Sequence, residues 1–246
     1  MKRQSLPGSK DWIDELEFLG KHNQEDAKLS IIRSVFSLIK WILVALLVYI
    51  LFVEVVLRIV RRFYQFPIPA YAARLIDNPI RRRIQPPDRI AEWMGAGEGM
   101  SILEIGPGPG TFTFAVARRV GEAGCVYAFD IQESIVSALN EKVEQRGITN
   151  ISVRQASAYT LPFSDKYFDL IYMIAVLGEI PDKQRALSEF KRVLKDDGLL
   201  AIGEFLPDPD YPRRKTVAAW CQESGFILTE QYGNLLHYLL LFKKQE

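Results

Sequence analysis

Cysteine and histidine are both scarce. Cys125 and Cys221 are the only cysteines in 246 residues, too few for a disulfide framework. Each lies in an apolar segment and reads as a small core residue. His22 and His237 share no zinc-type spacing, so no metal site is expected. Neither sign of charge is in excess. The 31 basic and 30 acidic residues leave a formal net charge of +1, which removes the polyelectrolyte argument for a nucleic-acid partner. Internal repeats and low-complexity tracts are absent, and no nucleophile-plus-base triad is visible. What remains is an ordinary globular composition, 48% hydrophobic and 25% charged, long enough for one sizeable domain with appendages.

The stretch Ser101 to Thr111, SILEIGPGPGT, organises the chain. Ile102, Leu103 and Ile105 read as a buried strand. Gly106, Gly108 and Gly110 form a tight turn that lets a ligand approach the backbone. A helix opens near Thr111, its free N–H groups facing the turn. Glu104 stands two residues before the first glycine. The dinucleotide fingerprint is not met, because Thr111 occupies its third glycine position. The competing reading is a loop that is merely glycine-rich. The agreement of strand, turn, helix and acid weighs against it.

Downstream, apolar strands alternate with helices. Strands are expected at 124–129, 150–154 and 168–174, with helices at 133–146, 183–194 and 213–223. In the first of these helices Ile135, Leu139 and Val143 face inward. A turn at Asp197-Gly198 leads into another apolar strand. Two final strands, 226–232 and 236–242, join through Gly233-Asn234 as a hairpin. Asp130 ends the second strand, roughly 20 residues past the glycines, where an acid grips ribose hydroxyls. The loop Ala175 to Asp182 lies where an open α/β sheet places its substrate. Glu179 is its candidate base or polar contact, set against the plain reading of a solvated capping carboxylate. Tyr159 and His237 are further candidate helpers.

These residues resemble the class I S-adenosylmethionine-dependent methyltransferases. The first motif of that family, an acid followed by G-x-G-x-G, is matched by Glu104, Gly106, Gly108 and Gly110. The resemblance covers about Asn78 to the C-terminus. It implies a Rossmann-like, mostly parallel seven-stranded α/β sheet with a C-terminal antiparallel hairpin. It implies S-adenosylmethionine as cofactor, with Pro107 and Thr111 at the bend, Asp130 and Ile131 at the ribose, and Ser157, Ala158 and Ile174 at the rest of the cofactor. It also implies that the segment from Asn78 to Pro87 packs over the cofactor or the substrate mouth. Glu189 to Lys195 resembles another family signature. Two departures stand out. Ser157 replaces the acid that meets the adenine amine, and Gly178-Glu179 replaces a histidine pair.

The N-terminal third is outside that resemblance. Trp12, Leu16 and Leu19 share one face of a short helix that either docks to a partner or interface or packs locally. Residues 41–53 carry no charge, and Val35 to Leu57 is long enough to cross a bilayer, with Lys40 and Glu54 near its ends. A helix embedded in one leaflet and a buried soluble helix are the alternatives. Arg58, Arg61, Arg62, Arg74, Arg81, Arg82 and Arg83 follow, with Asp77 as the single acid between Arg58 and Arg83. The positive-inside rule then places the C-terminal portion in the cytoplasm. Phe63, Tyr64, Phe66 and Tyr71 read as an apolar entrance or as interfacial aromatics.

The expected organisation is a segment 1–33, a transmembrane or membrane-embedded helix 34–60, a Pro/Arg-rich connector and cap 61–98, and a methyltransferase domain 99–246. The expected activity is methyl transfer to a small, membrane-associated acceptor of quinone, isoprenoid or phospholipid type. Two alternatives stay open: a non-catalytic cofactor-binding scaffold and a nicotinamide-dependent oxidoreductase.

Overall fold

A computed structural model describes residues 28, 32–52, 55–56, 59, 78–206, 208 and 211–245. The short helix expected around Trp12, the arginines from 58 to 74 and the aromatics from 63 to 71 lie outside the described residues. The chain divides into two units, 1–57 and 58–246.

In the first unit, helix α1 (Ile32–Phe52) has 21 residues and a mean hydropathy of 2.5, and none of its apolar core window is buried. By length and composition it can cross a membrane. Its apolar side chains are exposed on every side, from Phe36 and Trp41 to Tyr49 and Phe52.

The second unit begins with α2 (Pro79–Ile84) and α3 (Pro87–Trp93). Asn78 caps α2, its side-chain oxygen accepting from the Ile80 and Arg81 N–H groups at 3.0 Å each. Proline stands at the first position of each helix, where the missing N–H costs nothing.

Seven strands follow: β1 (Ser101–Ile105), β2 (Cys125–Asp130), β3 (Ile151–Gln155), β4 (Phe168–Ile174), β5 (Leu194–Phe205), β6 (Phe226–Gly233) and β7 (His237–Lys244). They form one sheet in the order β3-β2-β1-β4-β5-β7-β6. The first five strands are parallel, and β7 pairs antiparallel with both β5 and β6. This is the sheet that the family resemblance implies.

The helices between the strands are α4 (Thr113–Val120), α5 (Glu133–Gln145), α6 (Lys183–Val193) and α7 (Arg214–Glu223). They cover the sheet on both faces. Ile90, Val116, Leu139 and Ile102 belong to one core; Leu187, Phe190, Val217 and Leu103 belong to the other. Buried on both faces, β1 and β4 read as almost unbroken apolar runs.

Three local expectations are corrected. The turn at Asp197-Gly198 is absorbed into β5, whose register jumps between the Phe168–Leu194 and Leu170–Leu199 pairs. Lys166 and Lys244 hold Asp196 in that irregularity at 2.6 and 3.3 Å. The hairpin turn is Asn234 to Leu236 rather than Gly233-Asn234. There the Asn234 side chain accepts from the Leu236 and His237 N–H groups, at 2.8 and 3.3 Å, and stabilises the longer turn. Of the two cysteines, Cys221 is fully buried, whereas Cys125, at the start of β2, is only half-buried.

Candidate functional site

A cleft of about 310 Å³ opens at the carboxyl ends of β1, β2 and β4. The strand order reverses between β1 and β4, so the cleft sits at the topological switch point of the sheet.

Glu104 and Asp130 both line it. Glu104 is almost wholly buried and accepts a hydrogen bond from the Thr113 hydroxyl at 2.5 Å. Burial raises its pKa to about 7, although the Thr113 bond pulls the other way. Burial, with Glu104 as the lesser cause, drives the neighbouring Tyr172 phenol well above its ordinary value. Asp130 is raised too, chiefly by burial. Its Oδ1 accepts from the Gln132 N–H at 2.9 Å, which fixes the carboxylate at the strand end.

The glycine bend lies between these acids. Gly106 has φ +70, and a Cβ there would stand 2.5 Å from Val176 Cγ2, so only glycine fits. Its N–H donates to the Phe129 carbonyl at 2.8 Å, tying the bend to β2. Gly108 faces open space, while Pro107 and Thr111 line the cleft wall. The Thr111 hydroxyl is buried with no hydrogen-bond partner among the described residues, leaving a polar atom for a ligand to satisfy.

Gly110 is a correction. It does not line the cleft. Its φ is +88, and an added Cβ would meet Leu139 at 2.6 Å and Phe114 at 2.7 Å. The third glycine therefore lets the bend pack against α4 and α5. The helix also opens later than expected, at Thr113, with no side-chain cap.

The opposite wall comes from loops. Ser157, Ala158 and Tyr159 line it, together with Glu179 from a single 3-10 turn, Leu177–Glu179. Ser157 Oγ accepts from the Tyr159 N–H at 3.3 Å. The Tyr159 hydroxyl accepts from the Asp182 N–H at 3.0 Å, and the Arg185 guanidinium lies 5.0 Å from the centre of its ring. Ile131 and Ile174 complete the apolar lining. Ala175, also in the wall, holds a left-handed φ of +59, an uncommon conformation for a residue with a side chain.

The segment Glu189 to Lys195 now has a physical role. The Leu161 N–H donates to Glu189 at 2.7 Å. Arg192 donates to the carbonyls of Leu161 and Phe163 at 3.1 and 2.8 Å, and pairs with Glu189 at 2.7 Å. Helix α6 thus clamps the loop that carries Ser157, Ala158 and Tyr159. Hydrogen bonding to Arg192 holds the Glu189 carboxyl below its usual range.

His237 does not line the cleft. It lies against Trp93, ring centroids 6.1 Å apart, and burial lowers its pKa. Polar and aromatic lining residues that the sequence did not mark as part of the site include Arg81, Phe112 and Asp208. Arg81 stands over the Phe112 and Phe205 rings at 5.9 and 5.5 Å, so the lead-in segment does reach the mouth, as the resemblance implies. Asp208 follows the carboxyl end of β5 by three residues. That strand-end rule is the signal that would have marked it.

Sheet order, cleft position and paired strand-end carboxylates define a Rossmann-like α/β domain with its ligand site at the switch point. A family model described as "Methyltransferase domain" matches residues 96–240. The chain belongs to that family, of the class I S-adenosylmethionine-dependent type. It is 36% identical over 143 residues to the ubiquinone/menaquinone biosynthesis C-methyltransferase UbiE of Vibrio vulnificus (strain YJ016), covering 58% of this chain and 54% of that one. It is 40% identical over 143 residues to UbiE of Yersinia enterocolitica, covering 58% and 55%. The chain thus spans about half the length of the curated relatives it matches. A crystal structure of a SAM dependent methyltransferase from Aquifex aeolicus superposes with a TM-score of 0.68 at 25% identity, covering 72% of this chain and 98% of the other. Family membership sets aside the nicotinamide-dependent oxidoreductase.

Proposed function

We propose that this chain transfers a methyl group from S-adenosylmethionine to a carbon of a quinone-type acceptor drawn from a membrane. The observation that carries the reading is the convergence of Glu104 and Asp130 in one cleft across the glycine bend, in a chain of the methyltransferase family. Its relatives named as ubiquinone/menaquinone C-methyltransferases supply the acceptor class.

The residues present fit that cofactor. Glu104 complements its ammonium group and Asp130 accepts from its ribose hydroxyls. Pro107, Gly106 and Gly108 give it backbone at close range, with Gly110 supporting the bend from behind. The Thr111 hydroxyl gains the partner it lacks among the described residues. Ile131, Ala158 and Ile174 enclose its apolar surfaces, and Ser157 offers an oxygen to the adenine amine. When bound, the cofactor supplies a methyl group on a positively charged sulfur.

The chain's own contribution is mostly position. The walls hold the acceptor in line with that methyl group and exclude water. Glu179 accepts the proton of a ring hydroxyl on the acceptor, which makes the neighbouring carbon nucleophilic. Tyr159, fixed by the Asp182 N–H, borders the acceptor from the same side.

Residues 34–60 serve as the anchor, 61–98 as the cap and 99–246 as the catalytic domain, facing the cytoplasm as the arginine-rich flank favours. Helix α1 supports this through its length and hydropathy.

The test is product mass spectrometry after incubating the full chain with isotope-labelled S-adenosylmethionine and a membrane lipid extract. The expected result is label in a quinone-type ring. Label confined to phospholipids, to other isoprenoids or to water-soluble compounds would reject the acceptor. Cofactor binding without turnover on any of them would favour the scaffold reading.

A further inference from the structure

The rim of the cleft carries apolar surface that the reaction does not use. Leu206 lies between Phe205, whose ring sits under Arg81, and Asp208, which lines the cleft. The Leu206 N–H donates to the Leu236 carbonyl at 2.8 Å, so the β6–β7 turn stands beside it. Leu206, Leu235 and Leu236 are 38, 87 and 44% exposed. Leu235 crowns a turn whose backbone is held by the Asn234 side chain. A leucine shown so fully to water on a braced tip gains nothing from the fold itself.

Two basic segments border these leucines. Arg214 donates to the Asn234 carbonyl at 2.8 Å, which places it at the turn, and Arg213 and Lys215 flank it in an exposed first helical turn. Helix α2 meets the same rim through Arg81. It exposes Arg82, Arg83 and Ile80, the last at 72%. Apolar side chains beside basic ones match the chemistry of a bilayer surface, where leucines enter the acyl boundary and cations meet anionic headgroups. An apolar helix of membrane-crossing length in the same chain favours that occupant over a second protein.

We propose that the β6–β7 turn, with Leu206, Leu235 and Leu236, dips into an anionic membrane surface beside the cleft mouth. This contact is separate from helix α1. It sets the mouth against the lipid, so that an acceptor with a long apolar tail need not cross water. The contact itself rests on no step of methyl transfer.

The test uses the full chain in lipid vesicles, without cofactor or acceptor. A single cysteine replaces Leu235 in a Cys125→Ala/Cys221→Ala background and carries an environment-sensitive fluorophore. Gln145→Cys, at the far end of α5, is the matched control. In vesicles containing phosphatidylglycerol, the Leu235→Cys probe is expected to shift to the blue. Nitroxide-labelled acyl chains should quench most of its emission and leave the control unchanged. The quenching should weaken in purely zwitterionic vesicles and in Arg213→Gln/Lys215→Gln. Equal quenching at both positions, or none at Leu235→Cys, would overturn the proposal. So would a blue shift that nitroxide lipids do not quench, because a second protein chain would then cover the turn. A methyltransferase with a different acceptor would still pass this test, and a membrane-docked chain with no turnover would pass it too.

Discussion

On one side of the cleft the polar groups stand at strand ends; on the other they hang from loops. Asp130 ends β2 and Glu104 is the last residue but one of β1, and parallel pairing on both flanks of β1 sets their positions. Ser157, Tyr159, Glu179 and Asp208 are carried by turns, braced by side-chain bonds such as those of Arg192. Sheet geometry leaves the first pair little freedom, so it suits a ligand that is always the same. The loop side can change its residues without disturbing the sheet, and it suits the partner that varies between relatives.

If that contrast holds, the largest effect belongs to Asp130. Asp130→Ala should weaken S-adenosylmethionine binding by about 3 kcal/mol, on the order of 100-fold, because a carboxylate accepting two hydroxyls is lost. Isothermal titration calorimetry measures it. Asp130→Asn, which keeps an acceptor for the Gln132 N–H, separates damage to the turn from loss of the ligand contact. A change below about threefold for the alanine variant, ~0.6 kcal/mol, would show that the strand-end side is not the cofactor side.

Next comes Glu104, whose folded pKa is about 7 against an ordinary 4.5. The folded chain holds this proton more tightly than the unfolded chain does. Without ligand, its contribution to stability is therefore full at low pH. It falls as pH rises from about 4.5 through 7, by roughly 3 kcal/mol. A cationic ligand reverses the preference, because the ammonium group needs the ionised carboxylate. Affinity should therefore rise with pH and level off above about 7, roughly 25-fold between pH 5.5 and 7.5, with proton release on binding. Calorimetry in buffers of different ionisation enthalpy reads both quantities. Glu104→Gln should bind more weakly at neutral pH and lose the slope. A wild-type affinity flat across this range would contradict a role for Glu104 at the ammonium group.

The same contrast explains what could be read before the fold was known. Strand periodicity and the acid-plus-glycine spacing placed Glu104, Gly106, Gly108 and Asp130 together, because strand ends and bends are local in sequence. Gly110 carries the same signature as its neighbours but packs inward against Leu139, a contact 29 residues away that no short pattern contains. Arg81 and Asp208 reach the cleft from segments before β1 and after β5, and only the folded sheet brings them to one mouth. His237 looked like a candidate helper on chemistry alone. The antiparallel insertion of β7 places it against Trp93, outside the cleft lining.

The smallest effect tests the loop side. By the family resemblance Ser157 stands in the place of an acid that would meet the adenine amine, and its oxygen already accepts from the Tyr159 N–H. Ser157→Asp gives a carboxylate that can accept from both donors. Changing a neutral acceptor to a charged one is worth about 1 kcal/mol, so cofactor affinity should improve roughly fivefold. Asp130 and Glu179 line the same cleft, and their negative charge opposes a further carboxylate. That repulsion is present with and without ligand, so the gain should shrink with added salt for the cationic cofactor and stay nearly level for neutral adenosine. Calorimetry at low and moderate ionic strength, with adenosine as a ligand lacking the sulfonium, isolates the adenine contact. Unchanged affinity for both ligands would mean that Ser157 does not face the adenine amine. The loop wall would then belong wholly to the acceptor, a sharper division of the cleft between strand ends and loops.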